Sequence, residues 1–397
     1  MINSFLYLSL MFFYVNILGY IFHFVVSRKL GPEGYGEFMV LYSFMLILGY
    51  FSNVFPTVVI KGVLENDTEK YSILRFFRLI AVLIGFVIFL IILAFSGFIK
   101  NFLHVSDVYS ILTVSLISLI IFLEKVEKGF LQAVNKFGLY SFYNAGELTL
   151  RLFFAVILIN LGFGINGAIS STFFSLSISL ILLLWTNKNI FGNIKKIPIK
   201  GVLKSLLLTT PTGLFVYADD LFIKRVFEPV LAGYFASASI VGKAYIWFIL
   251  TIFSVVFVKI TENKKDYRKY IYYFLGFVIF SFLSAEIVIY FVGEKFFILL
   301  FGSKFAKAFS ILPIYLVTII PLLINVILYF MNVSLEKTFL GMYIHLIAYY
   351  LGFVLIKFQS IEDYLIYIFT LNLLFMFINL YVFLKQFPNI HTQKTQR

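Results

Sequence analysis

Apolar runs of twenty or more residues recur along this whole chain, separated by short polar connections. Each is long enough to cross the hydrocarbon core of a bilayer. Stretches at about 3–26, 36–60, 76–97, 109–133, 140–162, 166–186, 202–223, 231–257, 270–292, 308–331, 338–357 and 363–385 read as twelve spans. Of the 397 residues, 61% are hydrophobic and only 13% are charged, which excludes a soluble globular domain. The fold class expected is an all-α polytopic membrane protein. The N-terminal run is too long for a cleavable signal and lacks a basic leader and a small-residue cleavage site. No cysteine is present, so disulfides, thiol catalysis and cysteine-held metals are excluded.

The net charge of +13 invites a nucleic-acid reading, but the basic residues are spread through short connections and serve better as topology signals. The connections after spans two, four, six, eight and ten, with the C-terminal tail, account for 21 Lys and Arg, and the other connections for 9. Only Arg151 and Lys243 count as lying inside spans. This asymmetry predicts cytoplasmic N- and C-termini in a cell membrane. No connection is long enough for a domain of its own. The polar stretch 187–201 is the natural linker between an N-terminal six-helix bundle (1–186) and a C-terminal one (202–397). A repeat supports that division. Arg28, Gly34–Tyr35 and Lys61 recur as Arg225, Gly233–Tyr234 and Lys259, with 26 and 25 residues from Tyr to Lys. Two halves of like orientation form a parallel repeat, the arrangement with which transporters build a site between rocking halves.

Ionisable groups at membrane depth cost about 2.5–3.5 kcal/mol on insertion scales and normally face a cavity or a partner. Glu147 and Arg151 lie one turn apart on one face of span five. They form a structural ion pair, or Arg151 lines an anion-binding cavity with it. Lys243, inside span eight, has no acid within a turn, so it faces water or meets an acid from another helix. Asp220 precedes Lys224 by one turn and is expected to pair with it. Asp219, turned away, and Glu286, alone in span nine, are candidates for proton or cation coupling. His23 and His345 read as hydrogen-bonded structural residues, and no metal site is expected. Pro56, Pro211, Pro313 and Pro321 interrupt spans. Pro211 with Gly213 makes span seven the expected bending helix. The glycines at 31, 34 and 36, with Pro32, are expected to form a tight hairpin that faces its counterpart around Gly233.

No Walker motif, nucleophile elbow or HExxH occurs, and no acidic pair sits in a sizeable external loop. An enzyme is therefore not expected, nor a cofactor.

The stretch "SRKLGPEGYGEFMVLYSF" (27–44) resembles the first external loop of the polysaccharide-biosynthesis flippases of the O-antigen repeat-unit type, within the multidrug/oligosaccharidyl-lipid/polysaccharide exporter superfamily. The matching residues are Arg28, Leu30–Gly31 and Gly34–Tyr35–Gly36, then Pro211, Asp219 or Asp220, and Gly233–Tyr234. The segment 299–316 resembles the approach to that family's tenth helix. The resemblance implies two six-helix bundles around a cationic cavity that moves a polyprenyl-pyrophosphate-linked sugar between leaflets. It implies a lipid-linked oligosaccharide and the bilayer as partners, with glycan-assembly enzymes nearby and no nucleic acid. The resemblance makes Arg28 a candidate for the substrate's phosphates, depth and charge make Arg151 and Lys243 candidates, and Lys61 and Lys259, the basic residues of the repeat, join them. Asp219, Asp220, Glu147 and Glu286 are candidates for ion coupling. Gly34, Pro211, Gly213 and Gly233 are candidates for the hinge or gate. A small-molecule exporter of the same superfamily is the first alternative. A membrane enzyme of glycan polymerisation or ligation is the second, disfavoured by the short external loops.

Overall fold

The computed structural model describes residues 2–188, 192–194, 200–262, 267–334 and 340–386. Among them there is no strand. The helices are α1 (Ile2–Ser52), α2 (Val54–Glu65), α3 (Lys70–Ala94), α4 (Ser96–Leu103), α5 (Val108–Ala133), α6 (Phe137–Leu158), α7 (Gly164–Thr186), α8 (Lys200–Val226), α9 (Pro229–Glu262), α10 (Tyr267–Val288), α11 (Glu294–Phe301), α12 (Ile311–Ser334), α13 (Leu340–Leu355) and α14 (Ile361–Gln386). Each expected span overlaps one or more of these helices. Among the described residues eight helical stretches are long and apolar enough to cross a membrane, and two of them, Phe13–Glu65 and Phe137–Thr186, run to 53 and 50 residues. The chain is an all-α, multi-pass membrane protein.

Gly31 alone leaves the helical region inside α1, with φ +70° and ψ 179°. That conformation suits glycine and strains a residue with a Cβ. The rings of Phe22 and Tyr42 meet at 6.2 Å across this point, so the arms 2–30 and 32–52 run back along each other. The three-glycine turn expected at 31–36 is therefore a one-residue reversal. Gly34 and Gly36 are already helical, because Pro32 starts the second arm with the backbone angle a helix needs. The second hairpin differs likewise: α8 ends at Val226, α9 begins at Pro229, and Gly233 is helical.

The chain divides into two compact units, Met1–Gly233 and Tyr234–Arg397. Within the first unit α8 packs along the second arm of α1. Gly213 lets Tyr50 lie against the α8 backbone, and Gly36 brings α1 to within 2.7 Å of the Gly233 nitrogen, measured from a Cβ built on Gly36. Small residues at such crossings let helices approach closely where lipid offers no hydrophobic drive for association.

Polar groups tie both ends of the first unit. At one end Arg78 (α3) donates to both Glu127 oxygens (α5) at 2.5 and 2.9 Å, and Asn187, which caps α7, donates to Glu127 at 2.8 Å. Arg75 also reaches the Asn193 carbonyl at 2.9 Å. At the other end Glu37 (α1) pairs with Lys224 (α8) and accepts from the backbone and hydroxyl of Ser106 at 2.8 and 2.5 Å. Asn166 (α7) donates to Asp107 at 2.7 Å beside it. In the second unit the fully buried Asn325 and Asn372 join α12 to α14 at 2.7 Å, and Asn379 donates to Asn325 and to Tyr329. Tyr329 in turn meets His345 of α13 at 2.8 Å. The structural reading of His345 agrees with this network, and that of His23 with its 3.2 Å contact to the Tyr35 hydroxyl.

Candidate functional site

Glu124 and Lys128 lie one turn apart on α5, and Glu147 and Arg151 one turn apart on α6. Each couple is an ion pair. Lys128 crosses between the helices and donates to Glu147 at 2.8 Å, which joins the couples into one chain of four charges. Ser179 of α7 adds a hydrogen bond to Glu124 at 3.3 Å. None of the four charged side chains is more than 12% exposed, so screening by solvent is slight. Removing one member of such a set leaves its partner buried and uncompensated, at a cost of about 3–5 kcal/mol.

Two donors of this cluster are unfilled. Arg151 Nε is buried without an acceptor among the described residues. Lys125, next on α5 and half-buried, lies within electrostatic reach of Glu124 and Glu147 but makes no hydrogen bond or ion pair among the described residues. The phenol of Tyr42, from the second arm of α1, stands beside Arg151. Lys125, Lys128 and Arg151 against Glu124 and Glu147 leave one positive charge over. The arrangement is suited to hold an anion, and phosphate oxygens match unfilled N–H donors well.

A cavity of about 480 Å³ adjoins the cluster between α1, α6 and α7. Tyr14, Phe142, Gly146, Leu150 and Leu182 line it, and Glu147 forms part of its wall.

The other candidates lie on other stretches of the chain. Arg28 is exposed by the α1 bend, whereas Lys61 is exposed on α2, where it pairs with Glu65 at 3.8 Å. Lys243 is fully buried in the second unit. Lys259 lies on α9, with its side chain outside the described residues. Asp219 and Asp220 are buried on α8, and Asp219 accepts from the Asp220 backbone at 2.8 Å. Lys224, expected to find its partner within α8, pairs with Glu37 instead, because packing against α1 brings that carboxylate to it. Glu286 keeps a buried oxygen without a partner among the described residues. α8 runs through Pro211 as one helix.

Sequence reading missed Glu124, Lys125 and Lys128, assigning the two lysines to a connection, and Arg78 likewise. All lie within helices. The run "EKVEK" at 124–128 carried the signal, since four charges inside an apolar span need partners.

Residues 1–244 match the family model described as "Polysaccharide biosynthesis protein". Solved structures share the fold. An inward-facing multidrug resistance MATE family transporter of the MOP superfamily aligns with TM-score 0.77 and 15% identity, covering 96% of each chain. The lipid II flippase MurJ, in an inward closed conformation, aligns with TM-score 0.75 and 15% identity, covering 96% of this chain and 88% of its own. A MOP superfamily transporter from Pyrococcus furiosus, described as having a binding pocket of reverse polarity, aligns with TM-score 0.61 and 15% identity over 97% and 95%. No curated protein matches.

Proposed function

Because the chain belongs to the family of polysaccharide biosynthesis proteins, we propose that it moves a polyprenyl-pyrophosphate-linked oligosaccharide from the cytoplasmic to the outer leaflet of the cell membrane. The observation that carries this reading is the buried cluster with its excess positive charge and two unfilled donors. A pyrophosphate cannot enter hydrocarbon unaided. The Arg151 and Lys125 donors offset its charge at membrane depth, while Lys128 keeps Glu147 from repelling it. Arg28, Lys61, Lys243 and Lys259 add positive charge along the path, and Asp219, Asp220, Glu147 and Glu286 are the groups for ion coupling. In this reading the molecule works by alternating access of two six-helix bundles, 1–186 and 202–397. Gly34, Pro211, Gly213 and Gly233 serve its hinge or gate, both termini are cytoplasmic, and glycan-assembly enzymes take the product.

The test is a proteoliposome assay in which a fluorescent lipid-linked oligosaccharide becomes accessible to an external lectin. Protein-dependent exposure, lost in Arg151→Gln, is expected. Exposure equal in empty vesicles would overturn the proposal. The carboxylates in α6 and α8 favour a second reading, an ion-coupled exporter of small molecules. Dye efflux driven by an ion gradient, without exposure of the lipid-linked sugar, would favour it. Sugar transfer by the purified protein would instead point to an enzyme.

A further inference from the structure

The cavity between α1, α6 and α7 has a chemistry of its own. Its walls are hydrocarbon and aromatic, from Met11, Tyr14, Phe142, Leu150 and Leu182. Tyr14 and Phe142 at its rim are exposed, so it opens on the flank of the first unit. A Cβ built on Gly146 meets nothing within 4 Å, so the absence of a side chain there leaves space unfilled. The inner wall differs, because Glu147 belongs at once to the cavity and to the charge cluster. Through Glu147 an apolar slot is continuous with a cationic group that has unfilled donors. Such a juxtaposition fits an amphiphile with a phosphate head and a single hydrocarbon tail.

We propose that this slot receives the polyprenyl chain of an anionic lipid, with its phosphate directed to Arg151 and Lys125. The proposal rests on the transport reading above and adds where the tail lies: within the first unit, between α1, α6 and α7. The volume of about 480 Å³ falls within the range of small-ligand sites, so the slot takes part of a long chain and leaves the rest to the bilayer. Glu147 is already neutralised by Lys128 and Arg151, so it does not call for a cationic guest.

The experiment uses the full chain in nanodiscs with a diazirine-bearing polyprenyl phosphate that carries no sugar. A diazirine-bearing phosphatidylcholine is the comparison. Peptides labelled on irradiation are identified by mass spectrometry. Polyprenyl phosphate is expected to label the 142–150 segment of α6, and unlabelled polyprenyl phosphate to compete. Gly146→Leu should occupy the open space at the slot and cut that labelling by about tenfold, the effect of losing about 1.4 kcal/mol of tail binding. Gly138→Leu, on an exposed face of the same helix, should leave it unchanged. Equal labelling by phosphatidylcholine, no labelling of 142–150, or labelling indifferent to Gly146→Leu would each overturn the slot. The readout is tail binding, so a chain that labels but does not flip sinks the transport reading alone. One that flips without labelling sinks the slot alone.

Discussion

At the scale of single residues, the first unit relies on groups whose neighbours leave no latitude. A Cβ at Gly213 would fall inside the ring of Tyr50. Gly213→Leu should therefore cost about 1–3 kcal/mol or more, read as a lower melting temperature in detergent. Tyr50→Ala in the same chain should recover part of that loss by making room. If the single variant melts like the parent, α1 and α8 do not pack as described. The pair Arg78–Glu127 has a different energetic form. Glu127 is fully buried, so Arg78→Met alone should cost about 3–5 kcal/mol. Replacing both residues with apolar ones should be far milder, because no charge is then stranded. Equal losses in the single and double variants would show that the ion pair itself, and not its stranding, governs stability.

Helices are the scale at which the sequence was most legible, and also where it misled. Hydropathy located the long apolar helices, because lipid demands the same run of apolar residues whatever the helix packs against. The reversal in α1 was readable only as glycines near a proline. The single non-helical residue depends on the arms folding together, which no local pattern records. The charge cluster was half legible. Glu147–Arg151 is a pair within one helix and shows in the spacing. Lys128–Glu147 and Lys224–Glu37 join positions far apart in the chain, so reading one helix at a time supplied either no partner or the wrong one. For α8 the expectation is that Pro211→Ala restores a backbone hydrogen bond and lowers the flipping rate while the protein's yield is unchanged. A normal rate would make Pro211 structural only.

For the molecule as a whole, orientation is the first quantity to settle, and the absence of cysteine makes it easy to measure. Asn193 and Glu33 are both exposed and lie at opposite ends of the first unit. A cysteine at Asn193 is expected to resist an impermeant thiol reagent in intact cells, and one at Glu33 to react. Labelling at Asn193 from outside, with Glu33 protected, would reverse the orientation drawn from the basic residues. The one-residue reversal at Gly31 also bears on how the chain is made. A turn this short leaves no slack between the first two arms, so neither can settle in the membrane while the other waits outside. They must leave the insertion machinery as a single helical hairpin, and the first arm stays uncommitted until the second has been synthesised. Chains truncated after residue 30 should therefore be extractable by alkaline carbonate, whereas chains ending after residue 65 should resist it. Equal resistance of the two would mean that the first arm inserts alone and the bend forms afterwards.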